Sequence, residues 1–489
     1  MLRDKQKTVS QSLSFFIIML SIIHTFIHAD LTTLAKNDPL PMFSTLNLDD
    51  ALLLTKDYLY YIDDESADRK HNRFGIFLSP FAQSADRGKT IRGTDACPPV
   101  PIEPCDPTLT DTPLGDLTGR TSMLALLFGA FPEGFTNYPG GEDGFLATAF
   151  RNIFCTDPNA PETCVAQPGE LNNEKYIDPN QKFGYFSFPL KYRKRGLRLE
   201  LVARIYKNFG IRFQTGFSSI RQVREATIDL TVEDETFETL SGAKVDEFLM
   251  DQLDNIACEI GVNLCNFIET SMEEVRFNVF WRQGFEINKE AEQDWARFLL
   301  IPYFEVSGSA SPGKRQDPFM LFALPFGNNT HPSVGLTGGI NFNFLETIEI
   351  GGEVGYTHFF SKSQCMPIPN SKFQTNLFPF STNVRIQPGD SWYFGARLAA
   401  YHFIDKLSMY FEWFVLDHQE DHICLEKPDP AFLPKVLECT TSFKVKLGNA
   451  GFNYDLSPNI GVGFLWQIPF SQRNAYRSST LMGGFNVTF

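Results

Sequence analysis

Apolar and polar residues alternate with a period of two along most of the chain from about residue 72 to the C-terminus. The alternation is clearest over residues 197–206, where the odd positions read Leu, Leu, Leu, Ala and Ile. The even positions of the same stretch read Arg, Glu, Val, Arg and Tyr. A period of two places successive side chains on opposite faces of a strand. The sequence therefore predicts an all-β fold whose strands have one apolar and one polar face.

Strand length and loop length distinguish a membrane barrel from a soluble sandwich, which also alternates. The predicted strands are long, whereas strands of soluble proteins are usually about 5–6 residues. Short connections at 207–210, 345–347, 404–406 and 457–459 are interleaved with long ones such as 361–390 and 420–439. Short turns on one side and long loops on the other are typical of transmembrane β-barrels. An exported soluble β-sandwich is the alternative fold.

The overall charge of the chain indicates whether nucleic acid is an expected binding partner. The formal net charge is −15 for 489 residues. Proteins that bind nucleic acids usually carry a basic surface. No nucleic-acid partner is expected.

The last predicted strand has a distinctive C-terminal pattern. The chain ends on an aromatic residue, and the apolar face of this strand contains Phe485, Val487 and Phe489. With the two-faced strands, this feature resembles Gram-negative outer-membrane β-barrel proteins of the porin kind over residues 72–489. The resemblance implies an antiparallel transmembrane barrel in the bacterial outer membrane. It also implies two partners, the outer-membrane lipid and the barrel-assembly machinery. The machinery would read Phe485, Val487 and Phe489 as an assembly signal.

The N-terminus has the pattern of a signal peptide. Three basic residues up to Lys7 precede an apolar run at 13–23, and this run is short for a membrane-spanning helix. We expect a signal peptide over 1–29, with a retained membrane anchor as the alternative. Residues 30–71 are expected to form a periplasmic leader with a short helix at 48–61.

The strand count is expected to be even, because bacterial single-chain barrels have even numbers of strands. About 14 strands fit the pattern, and 12 or 16 remain open. Residues 131–182 would be a periplasmic excursion or a plug, and 221–294 a helical insertion among the outer loops. The candidate strands are 72–82, 121–130, 183–192, 196–206, 210–220, 295–306, 317–326, 333–344, 347–360, 391–403, 407–419, 440–455, 459–470 and 480–489.

Eight of the nine cysteines fall into close pairs, which suggests disulfides made in an oxidising compartment. Zinc is the competing interpretation, but no pair has the C-x₂-C spacing. On one continuous helix, a seven-residue separation rises about 10.5 Å, beyond the roughly 7 Å limit for a disulfide. The pair at 258 and 265 therefore requires a helix break near Gly261. The candidate pairs are Cys97/Cys105, Cys155/Cys164, Cys258/Cys265 and Cys424/Cys439.

Charged residues of both signs occupy the polar faces of the predicted strands. In a lumen, such residues would select ions and small polar solutes. Three arginines on neighbouring strands, at 198, 204 and 212, form a candidate basic wall. The alternative is that the charges pair with one another and fill a closed barrel. The candidate pore-lining residues are Arg198, Glu200, Arg204, Arg212, Arg297, Glu349, Glu353, Arg397, Glu412, Lys444 and Lys446.

The function predicted from these features is a porin that allows passive diffusion of small hydrophilic solutes through a charged lumen. Diffusion needs no cofactor, and a homo-oligomer is expected only by analogy with porins. One alternative is a non-conducting barrel that displays its loops as an adhesin or structural protein. The other is an outer-membrane barrel hydrolase, which convergent His, Ser and carboxylate groups at the outer rim would favour. Because G-x-S-x-G, P-loop and H-E-x-x-H patterns are absent, no enzyme is predicted.

Overall fold

Twelve antiparallel strands close into a barrel in the computed structural model. The structure describes residues 74–89, 112–116, 121–122, 126, 140–141, 143–154, 185–206, 208–229, 245–287, 298–310, 312–344, 347–371, 374, 376–404, 406–438, 441–457 and 459–489. The barrel strands are β1 Phe74–Ala85, β2 Leu190–Tyr206, β3 Phe209–Arg224, β4 Val275–Arg282, β5 Phe298–Ala310, β6 Ser333–Phe344, β7 Ile348–Phe359, β8 Ser391–Ile404, β9 Leu407–His418, β10 Phe443–Ser457, β11 Ile460–Arg473 and β12 Ser479–Thr488.

Each strand pairs with its neighbours in the chain, and β1 pairs with β12 to complete the ring. The closure includes the last residue, whose backbone N–H donates to the carbonyl of Phe74 at 2.9 Å. The predicted antiparallel barrel is confirmed, and its strand number is the lower of the expected values. The predicted signal peptide and leader over 1–71 lie outside the described residues.

The outer and inner faces of the wall differ as the alternation predicted. Along β1, Phe74, Ile76 and Leu78 are exposed, whereas Phe77 and Phe81 point inward and are buried. Large exposed apolar side chains recur on the outer faces of the other strands of the barrel. Such a surface is unfavourable in water and suits the hydrocarbon layer of a membrane.

Most short connections lie at one end of the barrel, and five long connections begin and end at the other. The exceptions are the connection 283–297 between β4 and β5, which begins and ends at the end with the tight turns, and the short connection 474–478 between β11 and β12, which lies at the opposite end. Tight turns join β2 to β3, β6 to β7, β8 to β9 and β10 to β11, at the end that also holds Phe74 and Phe489. The connections 86–189, 225–274, 311–332, 360–390 and 419–442 all begin and end at the other end, which we call the outer rim. By the usual orientation of such barrels, the outer rim faces the outside of the cell.

Four of the predicted strands differ in the structure, and one barrel strand was not predicted. Together these differences change the number of barrel strands from 14 to 12. The predicted strands 183–192 and 196–206 form the single strand β2, because the basic residues 193–195 continue the strand instead of turning. Residues 317–326 form turns in the loop core, where 322–326 are buried, and the predicted strand 121–130 is described as a strand only at 121–122, outside the barrel. Conversely, β4 is a barrel strand that we had predicted as part of the helical insertion.

The long loops build an apolar cap over the outer rim. Helix α1, Phe145–Phe154, packs against helix α2, Val245–Glu259, and the carboxylate of Glu259 accepts the backbone N–H of Leu146 at 3.3 Å. A carboxylate at a helix N-terminus satisfies free N–H groups and the helix dipole. None of the described helices is long and apolar enough to cross a membrane. The buried side chains of the cap include Leu146, Leu249, Leu253, Ile256, Phe322, Leu324, Phe326, Tyr192, Ile220 and Tyr476.

The cap corrects two expectations about the loops. The connection that contains 131–182 begins and ends at the outer rim, because both Ala85 and Leu190 lie there. It is therefore not a periplasmic excursion. Within the described part of the predicted insertion 221–294, α2 is helical, whereas residues 267–272 and 275–282 pair with β3 as strands.

Candidate functional site in the barrel lumen

The predicted pore-lining residues mostly point into the lumen. Arg198, Glu200, Arg212, Glu349 and Glu412 are inward and at most 3% exposed. Arg204, Glu353 and Arg397 are on the same faces and half-buried, and Arg297 lies outside the described residues.

Lys444 and Lys446 are exceptions that lie on the outer face of β10. The neighbouring Phe443, Val445 and Leu447 point inward and are buried against the loop sheet formed by 362–367, 381–387 and 422–425. The prediction was wrong here, because it assumed that the apolar face of a strand always faces lipid. At the outer rim, the loops form an apolar core inside the barrel wall. The apolar face of β10 therefore points inward there, and its polar face points outward.

One arginine cluster joins three strands in the lumen. The guanidinium of Arg212 on β3 donates to the Glu305 carboxylate at 3.0 Å and lies 3.6 Å from the carboxylate of Glu200. It also lies over the Phe280 ring, 5.6 Å from the centroid. These contacts neutralise the two carboxylates within the barrel.

A second arginine cluster lies on another part of the wall. Arg397 on β8 donates to Glu349 at 2.7 Å and approaches Glu412 at 3.8 Å. Arg282 on β4, three strands away from Glu349, reaches the same carboxylate at 4.0 Å. The pair of Arg282 and Glu349 spans part of the lumen and so narrows it.

A third cluster lies nearer the outer rim and centres on an acidic residue. Glu273 accepts from Arg198 at 3.0 Å and from Lys194 at 2.8 Å. Arg198 also lies 4.3 Å from the centre of the Phe81 ring. Arg198 and Arg212 are therefore each paired with glutamates from other parts of the barrel wall. The predicted separate basic wall is replaced by interleaved charges.

Several lumen residues were missed by the sequence prediction. Glu273, Arg276 and Arg282 lie in or beside β4, which was predicted to belong to the helical insertion. The alternating segment VRFNVFWR at 275–282 was the available signal. Lys194 was missed because it was placed in a turn.

Tyrosine rings occupy space left by glycines on neighbouring strands. A Cβ on Gly355 would lie 1.8 Å from the Tyr393 ring, and one on Gly339 would lie 2.3 Å from the Tyr303 ring. The Tyr303 hydroxyl donates to Glu353 at 2.6 Å. Glycine in these strands is thus required by close packing of aromatic groups inside the lumen.

A ladder of polar side chains continues around the wall. The hydroxyl of Tyr192 donates to Gln83 at 2.8 Å, and Gln83 donates to Thr480 at 3.1 Å. Thr480 in turn donates to Gln467 at 3.5 Å. Both amide atoms of the fully buried Asn278 have no hydrogen-bond partner among the residues that the structure describes. Because a dry buried amide costs about 1–3 kcal/mol, these polar groups favour a hydrated lumen.

A serine, a histidine and an aspartate converge at the outer rim, as the hydrolase alternative required. The Ser391 hydroxyl lies 2.8 Å from Nδ1 of His418, and Asp421 lies 3.1 Å from Nε2. However, their exposed fractions are 4%, 2% and 0%. Phe443 also stacks on the imidazole. A buried serine is out of reach of a substrate, so this arrangement does not support catalysis.

The four cysteines that the structure describes are free thiols. This finding corrects two of the predicted disulfides. Cys258, Cys265, Cys365 and Cys424 are all exposed and form no disulfide. Helix α2 ends at Glu259 and Gly261 has φ 76°, so the helix break that the pair Cys258/Cys265 requires is present although that bond is not formed. The predicted bond between Cys424 and Cys439 is likewise not formed, since Cys424 is a free thiol.

The reason for this correction is that spacing along the chain does not fix the separation of two Cα atoms, on which a disulfide depends. The pairs Cys97/Cys105 and Cys155/Cys164 stay predictions, because both of their members lie outside the described residues. The predicted disulfide partners that the structure does not describe are Cys97, Cys105, Cys155, Cys164 and Cys439.

Comparisons with known proteins found only distant structural similarities. No protein-family model and no curated protein matches the sequence. An outer membrane channel from Pseudomonas putida F1 is similar at 9% identity and a TM-score of 0.41, over 87% of this chain and 99% of that one. The translocator domain of the autotransporter NalP from Neisseria meningitidis is similar at 6% identity and a TM-score of 0.31, over 91% of this chain and 99% of that one. The KdgM porin is similar at 8% identity and a TM-score of 0.25, over 62% of this chain and 97% of that one.

At these TM-scores the similarities carry no argument about function, and the chain's own geometry decides its class. A closed ring leaves no unpaired strand edge, and its outer face is apolar, which are the conditions for crossing a bilayer with strands. The chain is a closed antiparallel β-barrel with the apolar outer face of a transmembrane barrel. This architecture agrees with the expected location in the bacterial outer membrane.

Proposed function

We propose that this barrel is a channel for small hydrophilic solutes, held narrow by ion pairs in its lumen. The observation that carries the proposal is the polar, charged inner wall, which runs around the barrel from Arg397 and Glu412 to Gln83 and Tyr192. A barrel selected only for stability can fill its interior with apolar side chains, which are usually no less stable than buried ion pairs.

The dimensions of the barrel support a path along its axis. Twelve strands about 4.8 Å apart and tilted by about 40° give a backbone radius of about 12 Å. Long side chains from different walls can meet within such a lumen, as Arg282 and Glu349 do. The ion pairs then act as the constriction, and their charges of both signs favour small polar solutes over apolar ones.

A second candidate function rests on the apolar cap. The packing of α1, α2 and residues 322–326 over the outer rim resembles a fixed closure. A barrel closed in this way would display its loops at the cell surface without conducting. The apolar cap therefore favours the adhesin or structural alternative, and the two functions make opposite predictions for permeation.

Swelling of liposomes that contain the refolded full-length protein tests the proposal. Sugars and amino acids of increasing mass serve as solutes, and swelling rates are compared with those of protein-free liposomes. We expect permeation of the smallest solutes and a several-fold faster rate after Glu349→Ser together with Arg397→Ser, which remove the constriction. The matched control is Lys191→Gln, which changes a charge on the outer face. Swelling at the protein-free rate for both folded proteins would contradict the channel and favour display.

A further inference from the structure

The outer face of β2 changes abruptly from apolar to basic toward the outer rim. Its outward residues at 197, 199, 201, 203 and 205 are apolar, and Leu197 and Leu201 are 46% and 39% exposed. At a rise of about 3.3 Å per residue, these positions cover about 26 Å along the strand. The next outward positions are Arg195, Arg193 and Lys191.

Neighbouring strands concentrate the basic charge at this level. Arg193 lies directly opposite Arg221 of β3, and Arg195 is the diagonal neighbour of Arg221. All three arginines are exposed, and no ion pair joins any of them to a carboxylate among the described residues. Like charges directly opposite each other destabilise a sheet, and an anion beside the arginines would offset this repulsion.

The immediate surroundings leave room for such an anion. The outward residues opposite Arg193 and Arg195 on β1 are Ser84 and Ala82, and Ser219 lies opposite Arg195 on β3. These small side chains make a shallow floor between the arginines. Lys191 differs from the arginines because its ammonium pairs with Glu225.

We propose that Arg193, Arg195 and Arg221 bind the phosphate groups of a phosphorylated glycolipid headgroup in the outer leaflet. The charge and the position select this occupant, because the arginines lie at the outer edge of the lipid-facing surface, where headgroups begin. Guanidinium groups bind phosphate oxygens with two parallel hydrogen bonds. The lipid thereby fixes the height of β1, β2 and β3 in the membrane. The proposal is independent of whether the lumen conducts.

Native mass spectrometry of the full-length protein in detergent, titrated with diphosphorylated lipid A, tests the site. Each basic residue near an anionic lipid surface contributes about 1 kcal/mol, so Arg193→Gln with Arg221→Gln should weaken binding roughly 30-fold. The matched control, Lys191→Gln with Lys444→Gln, removes two rim charges that already pair with Glu225 and Asp417. It should change binding less than about threefold.

Two further binding measurements test whether the phosphate groups of the lipid and the positive charges of the protein are required. Dephosphorylated lipid A should bind the unchanged protein at least tenfold more weakly, and Arg193→Lys with Arg221→Lys should retain most of the binding. Heat-dependent gel mobility confirms that each variant is folded. Equal binding by the glutamine variant, or equal binding of the dephosphorylated lipid, would overturn the proposal. Displacement of the lipid by an equal concentration of inorganic pyrophosphate would also overturn it, because the site would then serve a soluble anion.

Discussion

Replacement of Arg212 by Met should destabilise the barrel by about 3–5 kcal/mol, the usual cost of removing one partner from a buried ion pair. Arg212 is 2% exposed, and its guanidinium contacts the equally buried carboxylates of Glu200 and Glu305 at 3.6 and 3.0 Å. The substitution removes the Arg212 positive charge from beside two carboxylates in the lumen. Methionine approximates the length of the arginine stem, so lost packing against Phe280 contributes little.

Urea unfolding of the protein in lipid vesicles, followed by tryptophan fluorescence, measures the effect. Adding Glu200→Gln and Glu305→Gln to the same variant should restore most of the stability, because neutral amides remove the unpaired charge. Lys191→Met is the matched control, since it breaks the exposed pair with Glu225 and should cost less than about 1 kcal/mol. The reasoning is refuted if Arg212→Met lies within 1 kcal/mol of the unchanged protein, or if the added glutamines lower stability further.

Other predictions concern the loops and the packing of the lumen. Burial lowers the pKa of His331 in the outer loop 311–332 below the ordinary value of 6.5, so the imidazole stays neutral in the fold. The cap should keep its protease resistance above about pH 6.5 and lose it as the pH falls below that value, because the unfolded loop then binds more protons; His331→Gln should flatten this dependence. Gly355→Ala should cost about 1–3 kcal/mol by urea unfolding, since the new methyl group meets the Tyr393 ring, and an unchanged midpoint would argue against the packed lumen. A fluorophosphonate probe should leave Ser391 unlabelled in the folded protein, and labelling that requires His418 would revive the hydrolase alternative.

The two-faced pattern of single strands was sufficient to predict the barrel. Each strand needs only its own alternation to define an inner and an outer face, as the residues 197–206 illustrate. Register then follows from pairing between chain neighbours, and the ring closes because the strand that ends on Phe489 meets the strand that begins at Phe74. Most of the described charges on the predicted polar faces accordingly point into the barrel.

The failures arose where a loop altered the environment of a strand. Lys444 and Lys446 point outward because the loop sheet provides an apolar core within the rim, and no local pattern reports that core. β4 was hidden by its proximity to α2, although its own alternation is regular. Pairing between Arg282 and Glu349 joins strands that are not sequence neighbours, so spacing along the chain does not reveal it.

Single-channel recording in a planar bilayer tests the central claim most directly, because it reports whether a path for ions exists through the lumen. The refolded full-length protein should produce discrete, ohmic current steps, and Glu349→Ser with Arg397→Ser should enlarge them several-fold by removing the constriction. The channel is contradicted if both proteins insert as heat-modifiable barrels and neither carries current. The apolar cap would then be a permanent closure, and surface display would be the function.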